Sequence, residues 1–270
     1  MSSTQRPFQA TSALLLVGVQ LLAAVGVLLL GAAVSDGESV GVVFLGATPV
    51  LAPLIAVYVG LVRYAPEEGT AAALRLERPD AGAMKLILLA LLFGAAMSPV
   101  LLYLQELLGR LLPAEALDPE VENGIRAELE QTTTMLFITL SHTILVPLAH
   151  EALFRGLIQP RLMVAHGARR GLWITVFLYA AAQMSPPLLP LALLVGLPLG
   201  IIALAAGTTW ASIAAHVAMV AVSLVIVEVV GSATRLPWWM VLACAAAAAG
   251  LLATIWRARR RAVSGDSTTT

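Results

Sequence analysis

The sequence predicts an all-α, polytopic membrane protein, a helix bundle with about eight transmembrane helices. Of its 270 residues 59% are hydrophobic and 12% are charged, and the mean hydropathy is +0.90. A typical soluble domain has about 25% charged residues. Several apolar runs also reach the length of about 20 residues that a helix needs to cross a bilayer. These spans make the lipid bilayer an expected partner. The formal net charge is zero, so no nucleic acid is expected as a partner.

The first part of the chain, residues 1–131, contains three predicted spans: Leu14–Val34, Val40–Val62 and Leu86–Leu104. A cleaved signal peptide competes for the first run, because residues 32–35 are small. The run exceeds the roughly 7–15 apolar residues of a signal peptide and further spans follow, which favours a retained helix. Pro49, Pro53 and Pro99 lie inside the spans and predict kinks.

The rest of the chain contains five predicted spans: Thr132–Ala149, Leu172–Met184, Leu188–Ala206, Trp210–Val230 and Pro237–Trp256. We expect residues 132–230 to form a core, residues 231–256 to hold the last span, and residues 257–270 to form a basic, disordered tail. The connection Gln105–Gln131 is strongly acidic; an amphipathic surface helix is one interpretation, and a solvated charged face is the favoured one.

The basic residues test this count of spans. With eight spans and the amino terminus inside, thirteen basic residues fall on the inside and three on the outside, as the positive-inside rule requires. The inside residues are Arg6, Arg63, Arg75, Arg78, Lys85, Arg155, Arg161, Arg169, Arg170, Arg257, Arg259, Arg260 and Arg261, and the outside residues are Arg110, Arg126 and Arg235. Both termini are therefore expected in the cytoplasm. The arginine preference and the alanine-rich composition suit a multi-pass protein of a bacterial plasma (inner) membrane.

The stretch 147–156, Pro-Leu-Ala-His-Glu-Ala-Leu-Phe-Arg-Gly, places charges at the end of an apolar run. A charge at the centre of a membrane helix costs about 2.5–3.5 kcal/mol, so such residues are rare. Glu151 and Arg155 are spaced i,i+4 and share a helix face. A structural ion pair and a catalytic or ligand site are both open interpretations.

Other polar groups in predicted spans are Gln183 and His216, and together with His150 and Glu151 they are the candidate site residues. His150-Glu151 begins like the zinc motif HExxH, but residue 154 is Phe, so no metal is expected. No Gly-x-Ser-x-Gly elbow is present, which leaves covalent catalysis unsupported. No cofactor is expected.

Three motifs carry a resemblance to a known family. Pro147-x-x-x-Glu151-x-x-x-Arg155-Gly156, Tyr179-x-x-x-Gln183 and Trp210-Ala-Ser-x-x-x-His216 resemble the CAAX-protease and bacteriocin-processing (CPBP, or Abi) family over Thr132–Val230. The resemblance implies an intramembrane glutamic endopeptidase that cleaves a membrane-associated peptide or protein with activated water. In the family pattern a first glutamate and a histidine activate the water, and a later histidine and an asparagine stabilise the oxyanion.

The sequence departs from that pattern at three positions, where it has His150, Gln183 and Val220. One hypothesis is an endopeptidase with an altered site, in which His150 is the base, Gln183 orients the water and His216 is a donor. The resemblance also implies that Glu151 pairs with Arg155. A second hypothesis is a non-catalytic relative that serves as an immunity, scaffolding or peptide-binding protein. A small transporter ranks last, since the hydropathy pattern shows no inverted repeat.

Overall fold

The computed structural model describes residues 8–34, 38–111, 132–183 and 185–265, and within these residues it is entirely helical. This confirms the predicted fold class. The α-helices are α1 (Ala10–Val34), α2 (Glu38–Tyr64), α3 (Thr70–Ala73), α4 (Ala81–Leu111), α5 (Thr132–Leu140), α6 (Val146–Glu151), α7 (Gln159–His166), α8 (Ala168–Ala181), α9 (Leu189–Ala206), α10 (Thr209–Val230) and α11 (Trp238–Gly265). Two π-helical segments, Ser141–Leu145 and Ala152–Ile158, join α5, α6 and α7 into one continuous helical rod.

Seven helices in the described part of the chain are long and apolar enough to cross a membrane, compared with about eight predicted. The difference is α8, which replaces the predicted span 172–184. It has 14 residues, fewer than the roughly 20 that a crossing takes. It nevertheless forms an antiparallel pair with α9, because Gly200 lies against Leu172 near the start of α8 and Gly196 lies against Tyr179 near its end.

Two predicted connections are corrected by the structure. Helix α4 continues beyond the predicted end at Leu104 to Leu111, so residues 105–111 belong to this helix rather than to the connection that follows it. Helix α11 continues to Gly265, so the basic residues 257–261 belong to a helix rather than to a disordered tail. The predictions for residues 112–131 and 266–270 lie outside the described residues.

Two clusters of buried apolar residues hold the bundle together. One lies between α1, α2, α8 and the second π-helical segment and contains Leu16, Leu153 and Leu157. The other lies between α4, α9, α10 and α11 and contains Phe93 and Ile202. Many other large apolar side chains remain exposed, as expected of helices that face lipid.

Contacts between loops place the arginine-rich segments at one end of the bundle. Phe8 packs on Tyr64, and Arg161 reaches the loop after α2 at Glu68. The backbone at Arg75 bonds to the start of α10, and Arg259 donates to the carbonyl of Leu204. We call this end the arginine end. The relative placement of these segments agrees with the topology predicted from the positive-inside rule.

Candidate active site

The motif 147–156 lies in the middle of the rod, and the helix there is irregular. Residues 146–151 are α-helical, and a π-helical segment flanks them on each side. Pro147 has no N–H to donate, which favours a break in the regular bonding pattern. Short π-helical turns within α-helices are frequent at functional sites. All residues from Ala149 to Gln159 are buried, so the polar groups of this stretch must find partners inside the protein.

Glu151, Arg155 and His216 form a connected polar cluster. His216 Nδ1 lies 2.9 Å from Glu151 Oε1, and Arg155 Nε lies 3.4 Å from Glu151 Oε2. The side chains of Glu151 and Arg155 have no exposed surface, whereas that of His216 is 12% exposed. An ionised carboxylate only accepts hydrogen bonds, so Nδ1 of His216 is the donor and Nε2 is left for another partner.

Arg155 is held from two further directions. Its Nη2 donates to the carbonyl of Gly196 at 2.9 Å, and its guanidinium lies 4.3 Å from the centre of the Tyr179 ring. A Cβ atom on Gly196 would lie 3.0 Å from the Tyr179 ring, so a residue without a side chain lets α9 approach closely. The ring face provides an electrostatic partner for the cation that is additional to Glu151.

His150 lies beside this cluster among aromatic rings. It is 7% exposed and makes edge contacts with Phe154 and Tyr179, with centroid distances of 6.4 Å and 6.2 Å. It is close enough to interact electrostatically with Glu151 and His216. Its surroundings therefore combine aromatic rings with charged and ionisable groups.

Gln183 is not among the contacts of the cluster. Its Nε2 donates to the carbonyl of Tyr179, one turn earlier in the chain, at 3.4 Å. The structure thus brings Glu151, His216 and Arg155 into contact, places His150 next to them, and gives Gln183 a local partner.

A cavity of about 330 Å³ lies on the exposed side of His216. Among the described residues its lining is mainly apolar, with the polar side chains of Gln105, Tyr179, His216 and Ser223, and contains no carboxylate. The lining residues are Leu101, Leu102, Gln105, Tyr179, Leu191, Val195, His216, Met219, Val220, Ser223, Leu224 and Val227. Neither His150 nor Gln183 lines it.

The structure adds residues that the motifs did not assign. Ser212 is fully buried, donates to the carbonyl of Thr209 at 3.0 Å, and lies near Glu151. The i,i+4 spacing of Ser212 and His216 was a usable signal, because it puts both on one helix face. Gln105 and Ser223 had no such signal: one lay in a predicted connection and the other in an apolar run. Among the described residues no group of three or more His, Cys, Asp or Glu could hold a metal ion.

Comparison with known proteins agrees with the motifs. Residues 132–222 match the family model described as "Type II CAAX prenyl endopeptidase Rce1-like", which confirms the resemblance stated from the sequence. No curated protein and no solved structure matches the chain.

Proposed function

We propose that this multi-pass membrane protein, whose residues 132–222 form a domain of the Rce1-like CAAX protease family, is an endopeptidase. It would hydrolyse a peptide bond of a membrane-associated peptide or protein bound in the cavity beside His216. The observation that carries this proposal is the contact of 2.9 Å between Glu151 and His216 at the cavity wall.

The histidine of this pair is suited to activate water. Glu151 accepts a hydrogen bond from the Nδ1–H of His216 and so fixes the tautomer, which leaves the lone pair of His216 Nε2 free to take a proton from water. The water oxygen then attacks the carbonyl carbon of the peptide. The proton held at Nε2 passes to the leaving amine as the C–N bond breaks, which restores the imidazole.

Glu151 and Arg155 are positioning residues in this scheme, since neither lines the cavity. A buried carboxylate needs compensation for lost hydration, and Arg155 supplies it at 3.4 Å. Arg155 in turn is fixed by Gly196 and Tyr179. His216 is thereby held in one orientation toward the cavity.

In the family pattern an asparagine stabilises the oxyanion, but Val220 occupies that position here and lines the cavity. Other hydrogen-bond donors must therefore stabilise the oxyanion. Gln105 and Ser223 are the candidates, since both line the same cavity and both carry N–H or O–H donors. Fixed donors in a site that excludes water stabilise a developing negative charge strongly.

The test is cleavage of a quenched peptide library by the purified protein reconstituted in lipid. We expect His216→Gln to lower turnover at least about 100-fold, the usual range for loss of a general base. His142→Gln is the matched control, because His142 lies in the same rod and bonds only to the carbonyl of Ile138 among the described residues. The His150→Ala variant should retain turnover. Loss of turnover in this variant would instead identify His150 as the general base.

A non-catalytic, peptide-binding role is the second candidate, and one observation favours it. Where the family carries a glutamate, His150 packs against Phe154 and Tyr179, and no carboxylate of the described residues lines the cavity. Absence of turnover by the wild-type protein on the whole library, combined with saturable binding of a peptide, would establish this role in place of the first.

A further inference from the structure

We propose that a second cavity, at the arginine end, binds a phosphate-type anion through Arg75 and Arg161. The expected source of the anion is the headgroup of an anionic phospholipid. This site is independent of the cluster around Glu151.

The cavity measures about 410 Å³ and lies between the loop after α2 and the helix α7. Arg75, Arg161 and Glu68 contribute its charged groups. The remaining lining is apolar and includes Phe8, Pro160 and Val164. A pocket with two guanidinium groups and one carboxylate has an excess positive charge.

The two arginines are in different electrostatic situations. Arg161 is compensated: it lies 3.3 Å from Glu68 and donates to the carbonyls of Ala73 and Leu157. Arg75 is half-buried, and its side chain has no hydrogen-bond or ion-pair partner among the described residues. Burial and the nearby Arg259 both lower the pKa of Arg75, because each disfavours its positive charge. An anion in the cavity would supply the missing compensation.

The backbone holds Arg75 in position at a conformational cost. Its φ is +55°, the one positive φ of a non-glycine residue among those described. Three successive carbonyls, from Leu74 to Leu76, accept hydrogen bonds from Thr208, Thr209 and Trp210. Non-glycine residues with a positive φ persist only where the surrounding structure fixes them, and they are concentrated at functional sites such as ligand sites. The fold thus presents an uncompensated guanidinium on a rigid support.

The location favours a lipid headgroup over a soluble anion. The cavity lies at the end of the bundle where membrane helices meet their connections, and Val164 at its rim is 90% exposed. Basic pockets between transmembrane helices on this side of the membrane are typical sites for anionic headgroups. The apolar rim would contact the glycerol and upper acyl carbons while the arginines bind the phosphate.

The experiment uses the full-length protein in detergent micelles and measures thermal unfolding midpoints. Phosphatidylglycerol, phosphatidylcholine and inorganic phosphate are titrated separately. We expect phosphatidylglycerol to raise the midpoint and phosphatidylcholine to leave it unchanged. In Arg75→Asn the half-saturating concentration should rise roughly tenfold, as expected for loss of a charge-assisted contact. Asn tolerates the left-handed backbone at this position, so the variant should fold.

Arg169→Asn is the matched control, since Arg169 is exposed at the same end and does not line the cavity. A response to inorganic phosphate at similar concentrations would support the site and identify free phosphate as its source. The proposal is overturned if Arg75→Asn responds like the wild type, if Arg169→Asn loses the response equally, or if no probe shifts the midpoint.

Discussion

Two carboxylates near the cavity of His216 are held in opposite ways. Glu151 is completely buried and contacts charged or ionisable side chains, Arg155 and His216. Glu106 lies near the end of α4 and accepts hydrogen bonds from the hydroxyl of Ser232 and from the backbone N–H groups of Ala233 and Thr234, all at 2.8–2.9 Å. Charged or ionisable side chains therefore hold the carboxylate of Glu151, whereas the backbone and a hydroxyl of a loop hold that of Glu106.

The difference explains what each carboxylate does for the site. Glu151 fixes the orientation of a single side chain at the cavity wall, so its effect should be chemical as well as structural. Glu106 lies next to Gln105 on α4 and holds the turn between α10 and α11 by hydrogen bonds. The effect of removing it should therefore be confined to one end of the cavity. Predictions about the two should therefore differ in size and in kind.

Removal of the Glu151 carboxylate should give the largest effect. In Glu151→Leu, Arg155 becomes a buried cation without a carboxylate partner, and we expect a loss of about 3–5 kcal/mol in the free energy of unfolding. Turnover should be lost as well, because His216 is no longer oriented. Denaturant unfolding in micelles measures the first effect.

The double variant Glu151→Leu, Arg155→Met is its control. Removing both charges should recover most of the stability, because a buried ion pair and an apolar pair of similar volume are often equally stable. Turnover should stay lost. Equal stability of the single variant and the wild type would contradict the buried charge compensation described here.

An intermediate effect is expected at the interface between α4 and α10, which connects the two carboxylates. A Cβ atom on Gly94 would lie 2.0 Å from the carbonyl oxygen of Ala215, so Gly94→Ala must separate the helices next to His216. We expect a loss of about 1–3 kcal/mol, the usual cost of overpacking. Gly109→Ala on the same helix is the control, because no atom of the described residues lies within 4 Å of a Cβ placed on Gly109. Equal unfolding midpoints for both variants would refute a close approach of α4 and α10.

Much of this architecture follows from the sequence because membrane spans depend on local hydropathy. Seven of the predicted spans fall in helices that satisfy the length and composition of a crossing. The count differed at α8 because the apolar run predicted there, Leu172–Met184, is itself shorter than a crossing takes, and the helix that forms, Ala168–Ala181, has only 14 residues.

The candidate site was predictable in part. The i,i+4 spacing of Glu151 and Arg155 predicted their pairing, and the motif around His216 marked a further polar residue. The contact between Glu151 and His216 spans 65 positions in the chain and depends on how α10 packs against the rod. No local pattern contains that information. No local pattern predicts the contacts of Glu106 either. The acidic composition of the sequence around it predicted a solvated charged face, whereas Glu106 accepts hydrogen bonds from Ala233 and Thr234.

The smallest effect should follow from removal of the Glu106 carboxylate. In Glu106→Ala the amides of Ala233 and Thr234 lose their acceptor, so their hydrogen exchange should accelerate several-fold. Global stability should change little, because the turn lies at the end of the bundle. Exchange mass spectrometry on a peptide that covers residues 231–236 measures the change.

Glu228→Ala is the matched control, since Glu228 is an exposed carboxylate on the neighbouring helix α10. It should leave exchange at residues 233 and 234 unchanged. If Glu106→Ala also leaves it unchanged, the carboxylate does not hold the turn. Glu106→Ala could instead lower the free energy of unfolding as much as Glu151→Leu does. That result would refute the claim that Glu151 compensates a buried charge whereas Glu106 only holds a turn at the end of the bundle.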